Sequence, residues 1–412
     1  MKLAFQTAAD RELSWRSTTV ESACKTERSI QPTHNVVARP RYEFMFWRGR
    51  VALYAILKSL GITRGDTVIV PGYTCFAVPS AVCFAGATPL YADIEQSTFN
   101  VSLKTILAAL RTKSITNVKA VLVQHTYGIP ADTQPIVSWA REHSISTIED
   151  CAHVQGSRYC NGSGELIPVG TLADAAFFSS QWTKPVSTGL GGWAVTSDPT
   201  IFRNIERFRM NDCISPKFAE SFLLLMQVVL REMLSHPRMY ENTRRAYQAL
   251  YKRGLLVGTS SKEELHGHMP AGYAKRMSLF QNLLLRRRLA NAPYSAHRRG
   301  LKQTYDALLE AAGLPVLRLP PQLDAVLLRY PLRVRSKQGV LAEAKKSGIA
   351  LGDWYSHPID RPDSLEAETV GYRTGDCPEA ERTVRDVINL PMGPDITEKK
   401  AAQIVNFLRD FE

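Results

Sequence analysis

Ala175-Ala176-Phe177-Phe178-Ser179-Ser180-Gln181-Trp182-Thr183-Lys184-Pro185 leads through Gly189, Gly191 and Gly192 into Trp193-Ala194-Val195, and the reading of this stretch decides the fold. An apolar run of strand length ends in a polar loop carrying one lysine, and a glycine-rich return opens a second apolar run. An amine at a strand end loses its proton more readily when its pocket is poorly solvated, and can then form a Schiff base. By itself, a loop lysine is more often a solvated surface group.

Upstream, Ile145-Ser146-Thr147-Ile148-Glu149-Asp150 reads as a short buried strand ending on a carboxylate, with Cys151, Ala152 and His153 after it. Ligands of open α/β sheets bind at the carboxyl ends of the strands, so Asp150 and Lys184 can converge on one ligand from neighbouring strand ends. A strand-terminal Asp is also often only a helix N-cap. Together the pair suits pyridoxal phosphate chemistry, in which a lysine holds the aldehyde and an aspartate keeps the pyridine nitrogen protonated.

Around these two segments, strand and helix signals alternate. Val51 to Gly61 has helical spacing with a glycine stop, Thr67–Pro71 reads as a strand, Ala77–Phe84 as a helix and Thr88–Ala92 as a strand. Leu103–Leu110 (helix), Ala120–Val123 (strand) and Gln134–Glu142 (helix) continue the series, which predicts a mainly parallel sheet covered by helices. Past residue 200 the pattern turns helical. Strands return at Asp324–Pro331 and Val387–Pro391, and a helix is expected over Glu398–Asp410. The expected architecture is α/β, with a large domain over 46–270 and a helical connection plus smaller α+β domain over 271–412. Residues 1–45 form an N-terminal extension, and about 211–268 a helical insertion.

Composition narrows the class. With 44% apolar and 22% charged residues, the chain is globular rather than disordered or fibrous. Seven cysteines without a CxxC pair suit reduced thiols and speak against a zinc site, so no metal is expected. The formal net charge of +12 favours acidic ligands, but no nucleic-acid motif accompanies the cluster Arg286-Arg287-Arg288, Arg298-Arg299 and Lys302. Asp10, Arg11 and Glu12 interrupt the N-terminus before a secretory core could form, so a cytoplasmic location is expected. Phe222–Leu230 is too short to span a bilayer. Its apolar face, followed by Arg244-Arg245 and Lys252-Arg253, suits internal packing, a dimer contact, a substrate lid, or weak association of the 220–253 segment with the inner face of a membrane.

Taken in order, several segments resemble the DegT/DnrJ/StrS family of sugar aminotransferases, a branch of the fold-type I pyridoxal phosphate enzymes. They are Trp47-Arg48-Gly49-Arg50-Val51-Ala52-Leu53, Val70-Pro71-Gly72-Tyr73-Thr74-Cys75, Gly86 to Ile94, His125 to Asp132, Ile148 to His153, the Lys184 segment, and Asn389-Leu390-Pro391. The likeness runs from about residue 46. It implies that Lys184 binds the cofactor and moves a proton, that Asp150 pairs with the ring nitrogen, and that His153 lies near the phenolic oxygen. Gly49 and Ser179 would meet the phosphate, and Gln181 would touch the substrate or the cofactor. Arg50 stands where a small hydroxyl residue is usual, and would pair with the phosphate or point into solvent. Cys75, with Phe76 beside it, occupies the place of a stacking aromatic ring, and Ala274 that of an asparagine reaching the partner subunit's cofactor. Tyr355 and His357, in Gly352-Asp353-Trp354-Tyr355-Ser356-His357-Pro358, are the expected substrate contacts.

The activity so implied is transfer of an amine, from glutamate by family habit, to a keto-sugar linked to a nucleotide, by a homodimer. Three other readings stay open. Related enzymes that deoxygenate sugars carry histidine where Lys184 stands; an aminotransferase could serve another small keto or aldehyde substrate; and the Ala274 and Cys75 departures would also suit a cofactor-free binding or regulatory protein.

Overall fold

The computed structural model describes residues 41–112, 117–161, 164–234, 256–290, 294–360 and 367–411. Its centre is a seven-stranded sheet in the order β1 (Tyr42–Phe46), β10 (Gly192–Thr196), β9 (Ala175–Ser179), β6 (Ser146–Asp150), β5 (Val118–Gln124), β2 (Thr67–Pro71) and β4 (Thr88–Ala92). From β9 to β4 every pair is parallel, whereas β10 and β1 join antiparallel. All five residues of β2 and the last five of β5 are buried, the near-continuous apolar run of a parallel strand covered on both faces.

Helices α1 (Gly49–Ser59), α2 (Ala77–Ala85), α3 (Leu103–Thr112), α4 (Thr133–Glu142) and α5 (Pro199–Asn211) cover the sheet. Helix α1 is buried nearly all round and packs on α2, α5, β9 and β10, which explains its run Val51 to Leu57 without a charged residue. Helices α6 (Phe218–Leu234), α7 (Lys262–Leu265), α8 (Leu279–Ala290) and α9 (Tyr294–Ala311) follow. Strands β12 (Arg329–Arg333) and β14 (Val387–Pro391) then pair antiparallel, with α10 (Lys337–Lys346), α11 (Pro378–Asp386) and α12 (Glu398–Arg409) around them. Three small strands support the loops: β3 (Thr74–Cys75) pairs with β13 (Ile359–Asp360), and β7 (Arg158–Cys160) lies between β11 (Leu323–Asp324) and β8 (Leu166–Pro168). Arg41–Glu412 form one compact unit, and one apolar core runs from Leu57 and Tyr73 through Tyr305 to Leu390 and Leu408.

Two expectations change. Residues 42–46 are not extension but an edge strand, held by the β10 ladder and by Tyr42 stacked on Phe202 at 4.1 Å. The single strand expected over Asp324–Pro331 is two strands interrupted by buried Ala325–Leu328. There the backbone turns to other partners, Val326 donating to Ser157 Oγ at 2.8 Å and Leu328 to the Tyr127 carbonyl at 2.7 Å.

The apolar run at Phe222–Leu230 lies on α6. Its inner face buries Leu224 and Val228, while Phe218, Phe222 and Met226 face outward. Among the described residues no helix is long and apolar enough to cross a membrane. The basic stretch from Arg244 to Arg253 lies outside the described residues.

Candidate active site

Adjacent pairing of β6 and β9 sets Asp150 opposite Phe177, so both strands deliver their following loops to the same sheet edge. A cleft with an empty volume of about 570 Å³, open solvent included, lies there. Lys184, Asp150, His153, Ser179, Gln181 and Tyr355 line it, as do Gly49, Arg50 and Cys75.

Glu149 and Asp150 are neighbours in the strand and therefore point to opposite faces. Glu149 turns into the scaffold, accepting from the amides of Gly170 at 2.9 Å, Leu172 at 3.0 Å and Ala173 at 3.1 Å, with His125 Nε2 at 3.3 Å. Burial pushes its pKa up, but His125 and these amides outweigh it and hold the carboxyl below its usual range. Asp150 faces the cleft with one such bond, from the Ala152 amide at 2.9 Å. Burial therefore dominates and pushes its pKa up to about 6, against the pull of the Ala152 amide, Lys184 and His125. It is the carboxylate in want of a positive partner.

Lys184 reaches the cleft from a turn closed by its own amide donating to the Gln181 carbonyl at 2.9 Å. Its Nζ lies 4.8 Å from the centroid of the Trp354 ring. Burial lowers its pKa, and Arg329 and Arg50 add to that, while Cys75 and Asp150 oppose it. The result is an ammonium that gives up its proton more easily than a free lysine.

His153 is more constrained than its expected role required. Its Nδ1 accepts from the Tyr127 amide at 3.2 Å, which assigns the proton to Nε2, 3.3 Å from the Tyr355 hydroxyl. Burial, with Lys184, Arg329 and His125, pushes its pKa well below 6.5, so it is neutral. The ring also stacks obliquely against Trp354, centroids 4.6 Å apart.

The opposite end of the cleft is built for an anion. Helix α1 begins at Gly49, and its first amides have no intrahelical acceptor. A Cβ at Gly49 would stand 2.9 Å from Ser179 Cβ and 3.1 Å from the Phe178 carbonyl. One at Gly192 would meet Gly49 Cα at 2.3 Å. Only two glycines allow the helix end to approach the β9 loop and its Ser179 hydroxyl this closely.

Arg50 neither points into solvent nor stands alone. Its Nη1 pairs with Glu264 at 2.7 Å and bonds Ser260 Oγ at 2.9 Å. Arg48 joins the same carboxylate at 3.5 Å and the Gly258 carbonyl at 3.0 Å. Glu264 is itself fixed by a capping box with Ser261 at the start of α7. Thr259 adds a hydroxyl to the lining. The segment from Gly258 to Glu264 thus contributes to the wall of the cleft and neutralises one of its two arginines.

Two expected residues lie elsewhere. Phe76 is buried in the core at the start of α2, and His357 is exposed, beside Ser356 Oγ at 3.1 Å. Arg48, Gln124, Trp354, Thr259 and Glu264 were not singled out as site residues. The unusual Arg50 was the available signal for the last of these, since an arginine carried inside by a buried helix requires a counter-charge.

Fit to pyridoxal phosphate can be judged from this donor set. It offers an amine of lowered pKa, an underbonded carboxylate, and a helix N-terminus in a cradle that any Cβ at Gly49 would fill. The residues fit the aldehyde, ring nitrogen and phosphate of that group.

Residues 46–409 match the model of the DegT/DnrJ/EryC1/StrS aminotransferase family. A pleiotropic regulatory protein of Geobacillus stearothermophilus is 28% identical over 370 residues, 88% of this chain and 83% of that protein. The UDP-N-acetyl-3-dehydro-alpha-D-glucosamine 3-aminotransferase of Acidithiobacillus ferrooxidans is 27% identical over 363 residues, 88% and 82% of the two chains. The solved structure of DesV from S. venezuelae is 25% identical and superposes with a TM-score of 0.66, covering 90% of this chain and 84% of that one.

Proposed function

We propose, from the premise that this chain belongs to the DegT/DnrJ/EryC1/StrS aminotransferase family, that its cleft moves an amino group from glutamate to a keto-sugar carried on a nucleotide. The chain is a pyridoxal phosphate-dependent transaminase. The observation that carries the reading is the placement of Lys184 and Asp150 on one cleft, the amine lowered and the acid raised in pKa by burial.

Pyridoxal phosphate supplies an electron sink for the pair left when a C–H bond beside an amine is broken. The protein's own groups do the rest. Lys184 Nζ would hold the group through its aldehyde and, as a free amine, would take and return the proton as general base and acid. Asp150 would hold the ring nitrogen and keep positive charge there, in a dry setting where a charge-assisted bond is strong. Gly49 and Ser179 would hold the phosphate, with Arg50 and Gln181 also lining the cleft. Cys75 would pack on the ring, offering a smaller face than an aromatic side chain. His153 bonds Tyr355, and the two form a neutral wall on the substrate side.

The acceptor class rests on two supports: the relative from Acidithiobacillus is named for a UDP-linked sugar, and a net charge of +12 suits a diphosphate. The test loads the holoenzyme with glutamate, removes it, and adds a panel of keto-sugar nucleotides, with the amine counted by mass spectrometry. Amination of at least one sugar is expected. Turnover of free keto acids with no sugar aminated would overturn the acceptor class.

The active form proposed is a homodimer. The outward residues Phe218 and Phe222 of α6, with Leu279 and Leu283 of α8, leave apolar surface for a second copy to cover. Sedimentation at working concentration should give twice the 46.0 kDa of one chain, and an active species of single mass would overturn it.

A further inference from the structure

Lys337 is a buried cation that lies outside the cleft lining and touches it only through Tyr355. It begins α10, and its Nζ donates to the Tyr355 carbonyl at 3.0 Å and to the Val384 carbonyl at 2.8 Å, and pairs with Asp353 Oδ1 at 2.5 Å. An ammonium has three N–H groups, and here each has an acceptor. Val384 stands in the last turn of α11, where carbonyls have no intrahelical donor and the helix end favours positive charge. Lysine is almost never fully buried unless paired, so this arrangement needs a reason. Its result is that Asp353 and Tyr355, on either side of Trp354, are tied to α10 and α11.

The other backbone groups of the same two residues are held as well. The Trp354 amide donates to Asn389 Oδ1 at 2.8 Å, the Trp354 carbonyl accepts from the Tyr127 hydroxyl, and the Tyr355 amide donates to the Tyr73 hydroxyl at 3.3 Å. The Tyr73 and Tyr127 hydroxyls meet at 2.5 Å, and since Tyr127 gives its proton to Trp354, Tyr73 is the donor between them. Loop backbone is ordinarily left to water. Here all four backbone polar groups of Trp354 and Tyr355 are fixed by side chains from four separate parts of the chain. What they hold in place is two rings. Lys184 Nζ lies 4.8 Å from the centroid of Trp354, and Tyr355 lines the cleft with its hydroxyl 3.3 Å from His153 Nε2. An amine that carries a proton must keep a set distance from the carbon it serves, and an error of about 1 Å there costs about 100-fold in rate.

We propose that Lys337 is a positioning residue for the reaction: by holding the Tyr355 carbonyl it fixes Trp354 and Tyr355 as the rigid wall beside which Lys184 moves its proton. The inference rests on the transaminase reading above. Its test compares the wild-type holoenzyme with Lys337→Met, which keeps the aliphatic stem and removes the three donors, and with Tyr73→Phe, which releases the Tyr355 amide from the other side. Single turnover with L-glutamate, or with L-glutamine where glutamate is inert, is followed by the cofactor's visible absorbance. Hydrogen–deuterium exchange over residues 353–357 is read in parallel by mass spectrometry. In both variants the limiting rate should fall about 30-fold, part of the loss that misplacement brings. The half-saturating amino acid concentration and the affinity for pyridoxal phosphate should each change by less than about threefold, since neither contact is removed. Exchange over 353–357 should quicken at least about tenfold, while β6 and β9 exchange as in wild type. The proposal is overturned by an unchanged limiting rate, and equally by a rate that falls without faster exchange at 353–357. It is overturned too if cofactor affinity and the protection of β6 and β9 fall with the rate, which would make Lys337 a structural residue. A wild type whose cofactor absorbance neither amino acid alters would overturn the transaminase reading and the positioning role with it.

Discussion

Lys184→Ala is expected to abolish amino transfer, with turnover falling by at least about 10⁴-fold, because one side chain supplies both the covalent hold and the mobile proton. The purified variant should also lack the visible absorbance that wild type shows with its cofactor bound. Stability should not follow activity. Lys184 is half-buried, its pKa is lowered chiefly by desolvation, and its amine has the Trp354 face as a neighbour rather than a hydrogen-bonded carboxylate. Removing a poorly solvated amine costs the cofactor-free fold little, so the melting temperatures of the two cofactor-free proteins should agree within a few degrees. Lys184→Arg sharpens the test. Arginine keeps the positive charge but cannot release its proton, so it should be as inactive as alanine. A small exogenous amine should restore part of the activity to the alanine variant and none to the arginine variant, which still fills the space. Residual activity within tenfold of wild type in Lys184→Ala would end the assignment.

The cleft's departures from the usual family residues act on one another. Arg50 replaces a small hydroxyl residue, and Glu264 of α7 answers it with a carboxylate shared with Arg48. Two arginines with one buried acid leave a net positive charge beside Gly49 and Ser179. A phosphate arriving there meets charge as well as the helix N-terminus. Breaking such a pair from one side strands a buried charge, which is why Arg50 and Glu264 must be considered together.

The sheet was legible in the sequence because its strands are local patterns. Thr67–Pro71 and Ala120–Val123 are short apolar runs between turn signals, and burial on both faces is what such runs require. Tyr42–Phe46 was not legible, since a short strand of mixed polarity is stabilised by β10, some 150 residues away. Ala325–Leu328 has strand composition, yet its amides are spent on Ser157 and Tyr127. The site divides in the same way. Lys184 and Asp150 stand at strand ends that the pattern locates. Trp354 and Glu264 arrive from distant parts of the chain, and only tertiary packing sets them beside Lys184 and Arg50. His153 lines the cleft, but the bonds that fix its tautomer come from Tyr127 and Tyr355, which no spacing discloses.

Asp150→Asn should separate function from stability in opposite directions. Asparagine preserves the shape and can still accept from the Ala152 amide, but it brings no negative charge to the ring nitrogen. The loss of one charge-assisted bond in a dry site predicts a fall in kcat of about 10²- to 10³-fold. The cofactor-free protein should become more stable. Asp150 has its pKa raised from 3.8 to about 6 by burial, so folding favours its protonated form. Its stabilising contribution is complete below the unfolded value of 3.8 and is lost as pH rises through 6. Above that pH the ionised, buried carboxylate costs the cofactor-free fold about 3 kcal/mol, and asparagine removes that cost. Denaturant unfolding of both cofactor-free proteins should therefore coincide near pH 4 and diverge toward pH 8, with the variant the more stable. Adding pyridoxal phosphate at pH 8 should reverse the order, because only the wild-type carboxylate gains a positive partner. If the variant is no more stable than wild type at pH 8, the carboxylate is not waiting for a cation. If it retains full kcat, it does not meet one during catalysis.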